Sequence, residues 1–261
     1  MWQDLRAEAT CLVQQEPILA SFFHATILKH ENLAGALSYI LAHKLDNPIV
    51  SAISIREIIT EVYAQYPEII VDAAYDIQAV YQRDPAVDLQ STPLLYLKGF
   101  HALQSYRVTH ALWQQGRKSL ALFLQNQISV SLGVDIHPAA RIGHGVMLDH
   151  ATGIVIGETT VIANDVSLLQ GVTLGGTGKE CGDRHPKINQ GVMIGAGAKV
   201  LGNIRIGENV KIGANSVVLK EVPDYTVAAG VPARIISQQQ HTNAAAQMDQ
   251  NFIDLWENMN I

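Results

Sequence analysis

Four ionisable side chains, Asp135, His137, Asp149 and His150, interrupt an otherwise aliphatic stretch in the second half of the chain. Arg184 and His185 join them from a glycine-rich insert, Gly175-Gly-Thr-Gly-Lys-Glu-Cys-Gly-Asp-Arg-His-Pro-Lys187. Aspartate and histidine are the side chains of general acid–base chemistry, and arginine is a natural ligand for carboxylate or phosphate. Glycines at 175, 176, 178 and 182 mark the insert as a projecting arm rather than a simple corner. Alternation along a strand places Asp149 and His150 on opposite faces, so no direct pair between them is expected. Asp135 and His150 fall on adjacent rungs, offset by roughly 10 Å along the strand. A corner there permits a pair without requiring one.

A strict aliphatic beat positions these residues. Ile136, Ile142 and Leu148 are six apart, a two-residue slip follows, and the beat resumes at Ile156, Ile162, Leu168 and Leu174. After the insert it continues through Ile188, Ile194, Val200, Ile206, Ile212 and Val218, with Gly following the aliphatic residue at 143, 157, 175, 195, 207 and 213. A helix would scatter every sixth residue around its circumference, so it cannot bury this pattern on one face. Short strands joined by tight corners can, stacking the aliphatic residues of successive rungs into one narrow core. A β-sandwich spaces its strands by about 8–12 residues and far less strictly. Such a coil fills its own interior, so a site must lie on its outer faces or between neighbouring coils.

Residues 1–132 read differently. Prolines at 17, 48, 67, 85 and 93 separate stretches with apolar residues at helical spacing, such as Leu33, Leu37, Ile40 and Leu41. Several short helices and two longer ones are expected, one beginning at Thr92-Pro93 as N-cap and first helical residue. The fold class is therefore α+β: a helical domain over 1–132, a β-coil over 133–236 and a flexible tail over 237–261. The tail turns polar and Gln/Asn-rich at Ser237 and regains apolar residues only from Phe252 to Ile261.

Composition narrows the function. With 16% charged residues, 48% hydrophobic residues and a formal net charge of −6, the chain is neither disordered nor equipped with a basic surface for nucleic acid. No apolar stretch approaches a membrane span, and the N-terminus lacks the apolar core of a secretion signal. Two cysteines far apart, Cys11 and Cys181, point away from a disulfide framework and towards a reducing cytoplasm.

Particular segments go further. Val134-Asp-Ile-His-Pro-Ala-Ala-Arg-Ile-Gly143, Met147-Leu-Asp-His-Ala-Thr-Gly-Ile-Val-Ile-Gly-Glu158, Val172-Thr-Leu-Gly-Gly-Thr-Gly178, Gly182-Asp-Arg-His-Pro-Lys-Ile188 and Ala228 to Arg234 resemble the serine O-acetyltransferases. The helical half shares the resemblance through Arg83-Asp-Pro-Ala86 and Leu94-Leu-Tyr-Leu-Lys-Gly-Phe-His-Ala-Leu-Gln104. The six-residue beat alone would indicate only a broad acyltransferase superfamily; the Leu-Asp-His-Ala and Asp-Arg-His-Pro segments narrow it.

The resemblance implies a left-handed parallel β-helix, homotrimers with sites between coils, and pairing of trimers through the helical halves into hexamers. It implies acetyl transfer from acetyl-CoA to the hydroxyl of L-serine, the first step of cysteine biosynthesis from serine, with no metal and no permanently bound cofactor. His150 would be the general base and Asp135 its orienter. Arg184 and His185 would receive the substrate carboxylate, and Asp84 and Asp149 its ammonium. Ala196, Ala214, Gly176 and Thr177 would line the CoA groove. Lys211, Lys220 and Arg234 are cations available to the CoA phosphates, although each alone is more often a solvated surface charge. L-cysteine would inhibit in the serine pocket. The ending Asn258-Met-Asn-Ile261 resembles the tail by which this family binds cysteine synthase, with Asn260 and Ile261 as the docking residues.

Two rival readings remain on sequence grounds. A zinc-dependent γ-type carbonic anhydrase would recruit His144, His150 and His185, although their spacing lacks that family's close histidine pair. A non-catalytic scaffold would use the coil only to display the tail.

Overall fold

The computed structural model describes residues 1–178, 181–238 and 243–249. Eight α-helices precede the coil: α1 (Trp2–Gln15), α2 (Ala20–Phe23), α3 (Leu33–Lys44), α4 (Ala52–Gln65), α5 (Glu68–Arg83), α6 (Ser91–Tyr96), α7 (Lys98–Gln114) and α8 (Lys118–Leu132). Five of them exceed 13 residues, so the helical half holds more long helices than proline spacing suggests. The α6 start also differs from expectation. Its N-terminal donors are met by a distant carboxylate: Glu8 accepts from the Gln90 and Ser91 N–H groups at 3.1 and 2.8 Å. Thr92 therefore lies within the helix and is not its cap. Among the described residues no helix is long and apolar enough to cross a membrane.

Gly133 ends α8 in a left-handed conformation, φ 69°, and the chain enters a parallel β-solenoid with three faces. The first face stacks β1 (Val134–Ile136), β4 (Ile154–Ile156), β7 (Thr173–Gly175), β10 (Lys199–Leu201) and β13 (Val217–Val218). The second stacks β2 (Arg141–Ile142), β5 (Val161–Ile162), β8 (Lys187–Ile188) and β11 (Arg205–Ile206). The third stacks β3 (Met147–Asp149), β6 (Ser167–Leu169), β9 (Met193–Ile194), β12 (Lys211–Ile212) and β14 (Thr226–Gly230), closed by the antiparallel β15 (Ala233–Gln238). The beat residues stack in register, as in Ile136, Ile156 and Leu174 or Leu148, Leu168 and Ile194, and all but the half-buried Ile142 are buried. Backbone groups of each strand thus find partners on the strand stacked beside it.

The coil docks on α5 and α7. Most of α7 is buried, including Arg107, which needs compensating partners in that position. Its Nη2 donates to Asp76 of α5 at 2.7 Å and to the Gly143 carbonyl at 2.8 Å; its Nε also reaches Asp76. Asp76 is fully buried and accepts as well from Gln104 Nε2 and from the Val146 N–H, at 2.9 Å each. One ion pair therefore links two helices to the first coil.

The tail departs from expectation where it is described. Ser237 lies inside β15, and a short helix, α9 (Ala244–Gln247), returns to the body. There the Ala245 N–H donates to the Gly191 carbonyl at 3.0 Å, and Ser167 Oγ donates to the Ala245 carbonyl at 3.3 Å. Asn260 and Ile261 lie outside the described residues.

Asp76→Ala leaves Arg107 buried with only the half-exposed Asp72 as counter-charge. It is expected to cost about 3–5 kcal/mol, measured by urea unfolding; a loss below about 1 kcal/mol would show that the pair does not hold the halves together.

Candidate active site

The first break in the beat is the corner between β3 and β4. Val134 pairs with Ile154 whereas Val155 pairs with Thr173, so the first coil is two residues longer than the second. The extra length carries His150 and Ala151 into left-handed conformations, φ 51° and 61°. Two such non-glycine residues cost on the order of 1–3 kcal/mol each and persist only where their surroundings hold them. The start of α7 does so. A Cβ on Gly99 would fall 2.0 Å from the Leu148 carbonyl oxygen, so only glycine lets the helix press this closely. Lys98 Nζ donates to Thr152 Oγ1, and Ala151 is fully buried.

His150 thereby leaves the strand. Its side chain is 76% exposed, yet its Nε2 lies 3.8 Å from Asp149 Oδ1. This corrects the expectation from strand alternation, which fails because the corner begins at His150. Burial raises the Asp149 pKa above the ordinary carboxylate value, nearby Asp84 adds to the rise, and His150 opposes it. Asp84 caps the C-terminus of α5, and its Oδ1 accepts from the Ala86 N–H at 2.9 Å. It is thus both a turn residue and part of the site. Asp84, Lys98, Asp149 and His150 line one cavity of about 370 Å³, with Val80, Val87 and Met147 forming an apolar wall.

The second break carries the other half. Arg184 and His185 precede β8, on the corner between the first and second faces, whereas His150 occupies the corner between the third and first. Arg184 Nη2 donates to Glu158 Oε2 at 2.7 Å, which holds the Glu158 carboxyl below its ordinary value. His185 is buried against Gly157, where a Cβ would come within 2.1 Å of its ring. Burial, helped by Arg184, pushes its pKa down. Glu158 also bears on His137, whose Nδ1 accepts from the Ala139 N–H at 3.0 Å.

Asp135 belongs with this second group. It projects from the first face between buried Val134 and Ile136, and its charge acts on His137. Its Oδ1 accepts from Gln125 Nε2 at 2.7 Å. No hydrogen bond or ion pair joins Asp135 to His150 within the chain, so the pair that spacing permits does not form there.

The expected CoA residues divide in the same way. Ala196 and Ala214 follow β9 and β12 on the His150 corner, stacked so that the Asn215 N–H donates to the Ala196 carbonyl at 2.7 Å. Gly176 and Thr177 follow β7 on the Arg184 corner, where a Cβ on Gly176 would meet the Arg184 carbonyl at 3.4 Å. Lys211 is a correction: it is buried beneath the returning segment and its Nζ donates to Asp249 at 2.9 Å. It presents no cation to a groove. His144, stacked on Tyr75, sits on the remaining corner, so His144, His150 and His185 do not converge within a chain.

Sequence reasoning passed over Lys98, Glu158 and Thr159. Glu158 and Thr159 directly follow the beat glycine Gly157, and Lys98 sits within the helical motif; their neighbourhood was visible, their contacts were not.

A three-faced coil with six-residue sides is the architecture of the hexapeptide-repeat transferases, and here histidine and carboxylates stand at its corners. Residues 1–105 match the family described as serine acetyltransferase, N-terminal, and residues 185–220 match the bacterial transferase hexapeptide (six repeats). The chain is 69% identical over 261 residues to a serine acetyltransferase of Haemophilus influenzae, covering all of this chain and 98% of that one. It is 66% identical over 252 residues to that of Escherichia coli, covering 97% and 92%. A serine acetyltransferase solved in complex with cysteine superposes with a TM-score of 0.95 at 71% identity, covering 97% and 98%. One solved in complex with CoA gives 0.87 at 71% identity, covering 90% and 98%. The chain belongs to the serine acetyltransferase family.

Proposed function

We propose that this chain transfers the acetyl group of acetyl-CoA to the hydroxyl of L-serine, releasing O-acetyl-L-serine and CoA as an early step of cysteine biosynthesis, in the reducing cytoplasm. The cavity that gathers Asp84, Asp149 and His150 carries this reading. Two carboxylates suit an ammonium group, and the exposed imidazole beside them suits a hydroxyl proton. His150 takes that proton as the serine oxygen attacks the thioester carbon. The oxyanion then collapses, and the imidazolium returns the proton to the departing CoA thiolate. A thioester is already activated, so direct transfer requires no acyl-enzyme.

Serine's carboxylate is the task of Arg184 and His185, which stand on another corner of the coil. The site is therefore complete only where the His150 corner of one copy faces the Arg184 corner of a neighbour, as in a trimer, with hexamers formed through the helical halves. Asp135 lies with the second group, so its role as orienter of His150 is exercised across the same boundary. CoA would run along that groove between Ala196 and Ala214 of one copy and Gly176 and Thr177 of the other. L-cysteine, sharing serine's ammonium and carboxylate, would occupy the serine pocket. A terminal carboxylate with the Ile261 side chain suits capture by cysteine synthase, with Asn260 beside it.

His150→Ala is expected to lower turnover by about 10²–10⁴-fold in a thiol-release assay with acetyl-CoA and L-serine. A loss within tenfold would contradict the general-base role, and no turnover by folded wild-type protein would overturn the proposal. Because the Asp149 pKa is raised, its carboxylate is protonated sooner on acidification. L-cysteine affinity measured by calorimetry is therefore expected to begin falling above the usual carboxylate range, and Asp149→Asn to flatten that pH dependence; an identical profile in the variant would remove Asp149 from the pocket. Deleting Ile261 is expected to leave acetyl transfer intact and abolish binding to cysteine synthase; unchanged affinity would exclude the terminus as the anchor.

A further inference from the structure

We infer that Thr159 is a positioning residue that fixes His185 as the neutral tautomer protonated on Nε2, so that this ring meets substrate as a hydrogen-bond donor. The inference rests on the reading above that His185 faces the substrate. Thr159 Oγ1 accepts from the backbone N–H groups of Arg184 and His185, at 3.0 and 3.1 Å, which commits both of its lone pairs. The same oxygen lies 2.9 Å from His185 Nδ1, within reach of its only proton, for which the Asp183 carboxylate also competes. The Thr159 backbone N–H also donates to Nδ1, at 3.2 Å.

With a backbone donor directed at it and a hydroxyl beside it, Nδ1 is the acceptor nitrogen and the ring's proton resides on Nε2. Among the described residues Nε2 takes no hydrogen bond, so its N–H is left for a ligand oxygen. The Thr159 carbonyl accepts from Lys187 Nζ at 3.0 Å, and the ring lies against Gly157, so position and orientation are set together. Burial, Arg184, Lys187 and His137 oppose protonation of the ring and Glu158 favours it; the first group prevails. The two site histidines thus have opposite duties: exposed His150 is free to accept a proton, whereas His185 is built to donate a hydrogen bond and keep its own.

The test combines nitrogen NMR of the intact protein carrying ¹⁵N-labelled histidine, with His185→Gln assigning the signal, and steady-state kinetics of Thr159→Val and Thr159→Ser. The wild-type ring is expected to show an unprotonated Nδ1 and a protonated Nε2 at neutral pH. Thr159→Val should mix the tautomers, move the ring's titration to higher pH and raise KM for serine about tenfold, the worth of one good hydrogen bond. KM for acetyl-CoA should stay within about twofold, and Thr159→Ser should restore both the spectrum and the serine KM. A wild-type proton on Nδ1 overturns the inference whether or not the valine variant folds. So does an unchanged His185 signal in Thr159→Val, or equal damage from Val and Ser. If His185→Gln leaves the serine KM unchanged while the tautomer is as expected, the failure belongs to the placement of His185 at the substrate and not to Thr159.

Discussion

The buried pair between Arg107 and Asp76 determines where the helices meet the coil, and the site depends on that docking. Asp76 stands on α5, whose C-terminus delivers Asp84; Arg107 stands on α7, whose first turn delivers Lys98 and Gly99. Their common target is the backbone around Ile142, Gly143 and Val146, just before the strand that carries Asp149. Residues far apart in sequence thus line a single cavity because one charge pair, satisfied by neighbouring hydrogen bonds, fixes the halves in register. Buried pairs of this kind often add little net stability. Here its contribution is to select one docking geometry.

That geometry supports strain where chemistry is expected. The later turns at this corner place one left-handed residue there, Gly171, Gly197 or Asn215, whereas the first adds His150 and Ala151 to Gly153, and the close approach of α7 at Gly99 holds them there. The imidazole is lifted off the strand while remaining beside Asp149. At the other corner the same outcome is reached without backbone strain, by a threonine that commits its polar atoms to the segment from Arg184 to Lys187.

Much of this was legible before the structure. The beat specifies the solenoid because buried aliphatic residues every sixth position satisfy only that geometry, and its two interruptions mark the two halves of the candidate site. The slip after Leu148 is the His150 corner, and the insert after Leu174 ends in Arg184 and His185. What stayed hidden depends on three-dimensional neighbours. Strand alternation separates Asp149 from His150 only if the strand continues, and it does not. Spacing brings Asp135 near His150 but cannot reveal that Gln125 claims its carboxylate. Lys211 reads as a surface cation until α9 and Asp249 fold over it, and Thr92 reads as a cap until Glu8 arrives from α1.

The proposed reaction draws on groups at two corners of the coil. Asp149 and His150 lie at one corner with Asp84 of α5 beside them, and Arg184 and His185 lie at another, joined through His137 to Asp135 on the first face. A shared site between copies reconciles these positions, and complementation tests it most directly. His150→Ala and Arg184→Ala chains, each nearly inactive alone, should regain a substantial fraction of serine acetylation when co-expressed, because some interfaces then combine two intact halves. A mixed assembly that forms and stays as inactive as its parents would contradict the shared site.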